Sequence, residues 1–170
     1  IASPILPDGR LLPLPIPSLH DADTMRDLGF EGIALDTLLR DLSRNRWCSE
    51  SRVHLDPQLY RPAGQHTRGW LPTFGQTGAA QGHLAAQGVG KGDLFLFFGW
   101  FGEVELRNGH WQYKRPRRDL HVIFGWLEVD HVLPIVRERG ECLRRHRWIA
   151  SHPHVANPRH YTDTRNTLYV

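Results

Sequence analysis

The strongest pattern in the chain is Leu94-Phe95-Leu96-Phe97-Phe98-Gly99-Trp100-Phe101, entered through the turn Val89-Gly90-Lys91-Gly92-Asp93. Its unbroken hydrophobicity predicts a strand covered on both faces. Residues 103–107 then alternate, and Asn108-Gly109 separates them from His110-Trp111-Gln112-Tyr113-Lys114. Asn-Gly between alternating segments predicts a two-residue hairpin, because a type I′ turn needs positive φ at both central positions. Residues 120–129 (LHVIFGWLEV) predict a further strand, so short links join the strands in an antiparallel meander. Phe98-Gly99-Trp100-Phe101 and Phe124-Gly125-Trp126-Leu127 echo each other. Glycine inside a strand marks a bulge or the close approach of a ligand or another backbone. The two tryptophans either fill the core or offer rings for stacking.

Elsewhere the period changes. Residues 33–43 carry Leu35, Leu38, Leu39 and Leu42 at helical spacing. Residues 77–87 predict a second helix, with Thr77 at its start, Gly88 at its end, and the small Ala79, Ala80, Gly82 and Ala86 permitting close approach to a sheet. Residues 44–73 show little periodicity and read as a long loop, a class that is often functional. At the start, Pro4, Pro7, Pro13, Pro15 and Pro17 forbid helix, Asp8-Gly9 predicts a hairpin turn, and Leu12, Leu14 and Ile16 share one face of an arm. Residues 131–148 are helix or loop, residues 151–160 irregular, and residues 166–170 a closing strand. The fold class that follows is α+β: a bent antiparallel sheet or small open barrel flanked by the helices near 33–43 and 77–87.

A length of 170 residues suits a single domain, 1–170, with a real core. The first residue is not Met and the last residues read as strand interior, so truncation at both ends is expected. No apolar run approaches the roughly 20 residues that span a bilayer, so no membrane partner is expected. Cys48 and Cys142 stand far apart, which argues against a disulfide framework or a Cys-based zinc site and fits a reducing cytoplasm. The charge of +3 and pI near 9.2 permit a nucleic-acid partner without demanding one. Lys114, Arg115, Arg117 and Arg118 form one basic cluster, and Arg137, Arg139, Arg144, Arg145 and Arg147 another. Each is either solvated surface or a phosphate-facing patch. Eleven His and six Trp suit a site that stacks on a flat ring and hydrogen-bonds its edge.

The candidate chemistry is sparse. His54-Leu55-Asp56-Pro57 offers a histidine and a carboxylate for general acid–base work. The competing assignment makes Asp56 the cap of a short helix after Pro57. If the segment is extended, Leu55 points inward and His54 and Asp56 point together toward the outside or toward a cleft, where Gln76 and His83 would stand opposite. Phe74-Gly75-Gln76-Thr77-Gly78 resembles an anion-binding turn at a helix start but lacks the Gly-Lys-Ser/Thr of a phosphate loop. His152 and His154, with His160 nearby, are spaced as metal ligands can be, yet no third ligand has a recognisable spacing. No metal is therefore assigned, and the histidines read as surface groups or as donors in a base-binding loop. No nucleophile elbow or dinucleotide fingerprint is present, and no cofactor can be assigned.

Several stretches together resemble a bacterial and phage family. They are Ser3-Pro4-Ile5-Leu6-Pro7-Asp8-Gly9 with Leu14-Pro15-Ile16-Pro17, His54-Leu55-Asp56-Pro57, Phe74-Gly75-Gln76 through His83-Leu84, Gly92-Asp93-Leu94 through Phe101, and His121-Val122-Ile123-Phe124-Gly125. They are similar to the nucleotide modification associated domain family of the third type, whose members are thought to accompany systems that modify bases in DNA. A looser likeness, in element order, is to PUA-like barrels of the EVE and ASCH kind, which read nucleobases; fold alone does not fix function.

The resemblance implies binding of a nucleobase or nucleotide in DNA base modification. Stacking would come from Trp100 or Trp126, edge recognition from Gln76, His83, His121 or His54, and phosphate contacts from Arg115, Arg117 and Arg118. Three readings stay open: an enzyme using His54 and Asp56, a non-catalytic reader of modified bases, and a structural subunit bound to protein partners of a modification system. An enzyme should bring His54 and Asp56, or His83 and a carboxylate, into one pocket with the tryptophans. A reader should show rings and amides only. A structural subunit should expose an apolar patch along residues 11–17.

Overall fold

The structure, a computed structural model, describes residues 1–28, 32–59 and 69–170. In chain order its elements are β1 (Ser3–Ile5), β2 (Ile16–Pro17), α1 (Leu35–Ser43), β3 (Val53–His54), β4 (Phe74–Gln76), α2 (Gly78–Ala86), β5 (Leu94–Arg107), β6 (His110–Tyr113), β7 (Asp119–Glu128), β8 (Val132–Pro134), α3 (Ile135–Arg145), α4 (Pro153–Ala156) and β9 (Thr167–Tyr169). Short 3₁₀ turns lie at Met25–Leu28 and Arg147–Ser151. The architecture is α+β, and among the described residues its three sheets are open rather than closed into a barrel.

The largest sheet is the predicted meander. Asn108 and Gly109 both take positive φ, +52° and +79°, and turn β5 into β6. Beyond residues 114–118 the chain returns as β7, antiparallel to the first half of β5. The register shifts once: Phe97 faces Gly125 but Phe98 faces Ile123, leaving Phe124 as the extra residue of a bulge. The bulge lies beside Gly125, one of the two strand glycines expected to mark an irregularity; the other, Gly99, pairs in register with Val122. A Cβ on Gly125 would lie 2.1 Å from Leu59 Cδ1, so a neighbouring side chain fills the space that glycine leaves. β1 adds to β5 in parallel, pairing Ser3 with Phe101 and Ile5 with Glu103. Gly9, at φ +85°, makes the expected turn that brings Leu11 back beside Ile5.

The expectation that both faces of the apolar run are covered is corrected. Phe97, Phe101 and Leu127 are buried, while Leu94, Leu96, Phe98 and Trp100 on β5 and Ile123 and Trp126 on β7 are exposed. Phe98 retains 69% and Trp126 65% of its accessible surface. Among the described residues only the inner face carries other layers. There Phe74, Phe95, Phe97 and Tyr169 pack edge-to-face and stacked at centroid distances of 5.0–6.4 Å. Helix α1 covers the other end of the sheet. Its Leu38 and Leu42 join Leu6, Leu12 and Val104 in one core cluster, and Arg44 at φ +56° ends it. The Pro-rich arm packs down at Leu12 but leaves Ile16 exposed.

The long loop is anchored on both sides of Asp56. β3 pairs with β2, His54 opposite Ile16, and Gln58 bridges Thr73. No helix begins at Pro57 among the described residues 57–59, and residues 60–68 of the loop lie outside the described residues. A third sheet, in the order β4-β9-β8, holds the closing strand in its centre. The stretch expected to be irregular, 151–160, contains α4, whose N-cap is His152 with Pro153 in the first turn. No helix among the described residues is long and apolar enough to cross a membrane.

Candidate active site: a buried histidine–carboxylate cluster

The segments around β2, β3, β4 and α4 converge on the carboxylate of Asp56, whose side chain is 5% exposed. The Gly75 N–H of β4 donates to both of its oxygens, at 3.0 and 3.2 Å. His152 Nε2 lies 3.3 Å from Oδ1. His54 Nε2 and His154 Nε2 lie 3.6 and 3.7 Å from Oδ2. Gly75 is required by this arrangement: a Cβ there would sit 2.7 Å from Cδ2 of His154, whose ring lies against the strand backbone.

The surrounding hydrogen bonds assign the ring protons. Asn166 Nδ2 donates to the His154 carbonyl at 2.9 Å, which turns its Oδ1 toward His154 Nδ1 at 2.7 Å. His154 therefore carries its proton on Nδ1 and presents the Nε2 lone pair to Asp56. His152 is the reverse. Its Nδ1 accepts the His154 N–H at 3.3 Å, leaving the proton on Nε2, toward Asp56 Oδ1. His54 Nδ1 lies 3.0 Å from Asp21 Oδ2, so it is the protonated nitrogen there too. Tyr161 donates its hydroxyl to the same Asp21 oxygen at 3.4 Å and lies 2.9 Å from His54 Nδ1. The Tyr161 ring stacks on His154 with centroids 4.2 Å apart.

Burial works to raise the Asp56 pKa, but His152 and His54 beside it outweigh burial and hold it well below the usual carboxylate range. At His54 burial works to lower the pKa, and Asp56 and Asp21 together raise it. Burial dominates at His154 and pushes it down to about 4, so its imidazole is neutral at pH 7. Burial and the neighbouring Asp21 push the Tyr161 phenol up. An anionic carboxylate thus stands among imidazoles of different proton affinity, the arrangement from which acid and base roles are drawn. The cluster reaches solvent through His54, whose side chain is 18% exposed while those of Asp21, Asp56, His152 and His154 are at most 5%. The exposed His20 and His160 rings stack at 4.3 Å near this opening, and Asn157 Nδ2 donates to the His20 carbonyl at 2.7 Å.

His54 and Asp56 therefore converge, as their spacing suggested, but without the tryptophans expected beside them in an enzyme pocket, and Asp56 is buried. His152 and His154 are buried too, which corrects their reading as surface histidines. Gln76 follows Gly75 on β4 and pairs in register with Thr167. His83 is exposed on α2. Trp100, His121 and Trp126 lie on the outer face of the β5–β7 ribbon, and among the described residues none has a ring contact with the cluster. The Arg117 guanidinium lies over Trp100 at 5.3 Å and over Tyr113 at 4.4 Å, and its Nε donates to Asp119 at 2.6 Å. Arg115 and Arg118 are exposed. A separate groove of about 730 Å³ is lined by Arg44, Arg46, Trp47, Trp111, Arg115 and Arg117, among others. Sequence reasoning missed Asp21, Tyr161 and Asn166, which carry no local motif. It noted the His152–His154 pair but had no means of bringing Asp56 beside it.

The family model described as nucleotide modification associated domain 3 matches residues 1–170. No curated protein and no solved structure gave a match. The match spans the whole sequence, and the chain belongs to the nucleotide modification associated domain 3 family.

Proposed function

We propose that this protein acts chemically on a nucleotide or on a base within DNA, at the Asp56 cluster. The observation that carries this reading is the convergence of His54, His152, His154 and, through Asp21, Tyr161 on one buried carboxylate, in a family tied to nucleotide modification. A reader needs rings and amides. A buried carboxylate among histidines costs desolvation that recognition of a base does not require. His54, the solvent-facing member, is the group in reach of a substrate, and Asp56 and Asp21 hold its two nitrogens.

The groove between α1 and β6 supports a separate contact for nucleic acid. It combines Arg44, Arg46, Arg115 and Arg117 with the rings of Trp47 and Trp111, the mixture that tracks a phosphate backbone while stacking bases. Arg118 and the exposed Trp100, His121 and Trp126 extend this role along the ribbon, and Gln76 and His83 remain candidates for reading a base edge. Work on DNA fits a cytoplasmic protein with partners in a modification system. Mass spectrometry of nucleosides, digested from DNA of cells with and without this protein, tests the reading. A nucleoside that changes in abundance supports it. Identical nucleoside profiles, with the protein present and folded, contradict it.

A further inference from the structure

We infer that His54 Nε2, Asp56 Oδ2 and His154 Nε2 form the binding site of one divalent first-row transition-metal ion. The inference goes beyond the nucleotide reading and can stand without it. These three atoms lie within 4.8 Å of one another. His154, protonated on Nδ1, turns an unprotonated Nε2 toward Asp56 Oδ2 at 3.7 Å, and His54 Nε2 stands 3.6 Å from the same oxygen. Lone pairs facing an anion repel unless a positive charge stands between them. One proton on His54 settles only one of the two contacts; an ion at the centre of the three settles both.

The spacing fits. Zinc-type ions hold imidazole nitrogens and carboxylate oxygens at roughly 2.0–2.2 Å, which places neighbouring ligand atoms about 3–3.5 Å apart. The two edges that include Asp56 need shifts of only a few tenths of an ångström. The His54–His154 edge closes further by movement of His54, the least buried of the three. Two imidazoles and one carboxylate are a donor set for zinc, iron or manganese, and the nitrogens favour these over magnesium or calcium.

The outer shell is also that of a metal site. Ligating histidines hand their second N–H to a carboxylate or carbonyl, which fixes the tautomer and the ring plane. His54 Nδ1 has Asp21 at 3.0 Å and His154 Nδ1 has Asn166 at 2.7 Å. The Gly75 N–H and His152 engage the Asp56 carboxylate, His152 from the Oδ1 side. His152 is thus a positioning residue. Its proton sits on Nε2, which explains why a third histidine so close is not a ligand. Three protein ligands leave coordination positions for water or substrate, and the partial exposure of His54 puts them on the solvent side.

The test uses the full chain, stripped with a chelator and titrated with Co²⁺ and Zn²⁺. One equivalent of Co²⁺ should bind and give visible d–d bands, which Zn²⁺ abolishes by displacement. On Zn²⁺ addition, ¹⁵N-resolved spectra of the eleven histidines should show two rings ligated through Nε2 and protonated on Nδ1. His54→Gln should lose stoichiometric binding, and His152→Ala should weaken it roughly 10–100-fold. Folded wild-type protein that binds no Co²⁺ stoichiometrically, or whose ligated rings survive in His54→Gln, overturns the assignment. If His54→Gln does not fold, the ring spectra of the wild type decide: ligation through Nδ1, or at none of the cluster histidines, overturns it as well. Metal bound as described with no change in cellular nucleosides would sink the nucleotide reading alone.

Discussion

At the residue scale, Asp56 separates two kinds of loss. Asparagine is nearly isosteric. Its Oδ1 can keep the Gly75 N–H bond, and its amide protons would meet the lone pairs of His54 and His154. Asp56→Asn should therefore fold, with a stability loss because the charge its histidine neighbours favour is gone, while losing activity. Asp56→Ala strands the Gly75 donor in the interior and removes the anion 3.3 Å from the buried His152 Nε2, and we expect a loss of at least about 1–3 kcal/mol in urea denaturation, larger than for Asp56→Asn. Equal stability of the two variants would show that the cluster is not organised around this carboxylate. Gly75→Ala places a methyl against the His154 ring at 2.7 Å. Overpacking of this kind costs about 1–3 kcal/mol and should displace His154, measurable as a lowered midpoint together with altered histidine ring signals. Asp21→Asn keeps the size of the side chain but removes the charge behind His54 Nδ1. It should leave the fold intact and lower turnover or metal affinity roughly 10–100-fold.

At the scale of elements, the β5–β7 ribbon is where the sequence said most and also misled. Asn108-Gly109 is a turn because few residue pairs tolerate two positive φ values, so that hairpin was legible from two letters. The helix at Leu35–Ser43 was legible from four leucines. The covering of β5 was not. A continuous apolar run marks a strand in apolar company on both faces only if another layer exists, and the sequence cannot count layers. The sides can be told apart by mutation. Phe97→Ala and Phe101→Ala, from buried positions, should each cost about 3–5 kcal/mol. Phe98→Ser and Trp126→Ser, from exposed positions, should change stability by no more than about 0.5 kcal/mol. Comparable losses at all four would mean that the outer face is covered in solution.

At the scale of the whole molecule, the cluster is a product of topology. Asp21, His54 with Asp56, Gly75, His154, Tyr161 and Asn166 come from six places in the chain and meet because β2 pairs with β3 and β4 pairs with β9. His54 and Asp56 were legible since an extended segment puts positions two apart on one side. Their partners were not, because nothing local ties residue 56 to residue 154. The basic groove between α1 and β6 is likewise assembled from distant arginines. DNA affinity should fall linearly with the logarithm of salt, and Arg115→Ala with Arg117→Ala should flatten that slope by about 1–2; salt-independent binding would contradict a phosphate contact there.

The most direct test of the central claim, that chemistry on nucleotides occurs at the Asp56 cluster, is complementation read by nucleoside mass spectrometry. Cells lacking the protein are supplied with the wild-type chain or with His54→Gln, a substitution at the least buried member of the cluster. The account predicts that the wild type restores the altered nucleoside and that His54→Gln, expressed and folded, restores none of it. Full restoration by His54→Gln would contradict the claim.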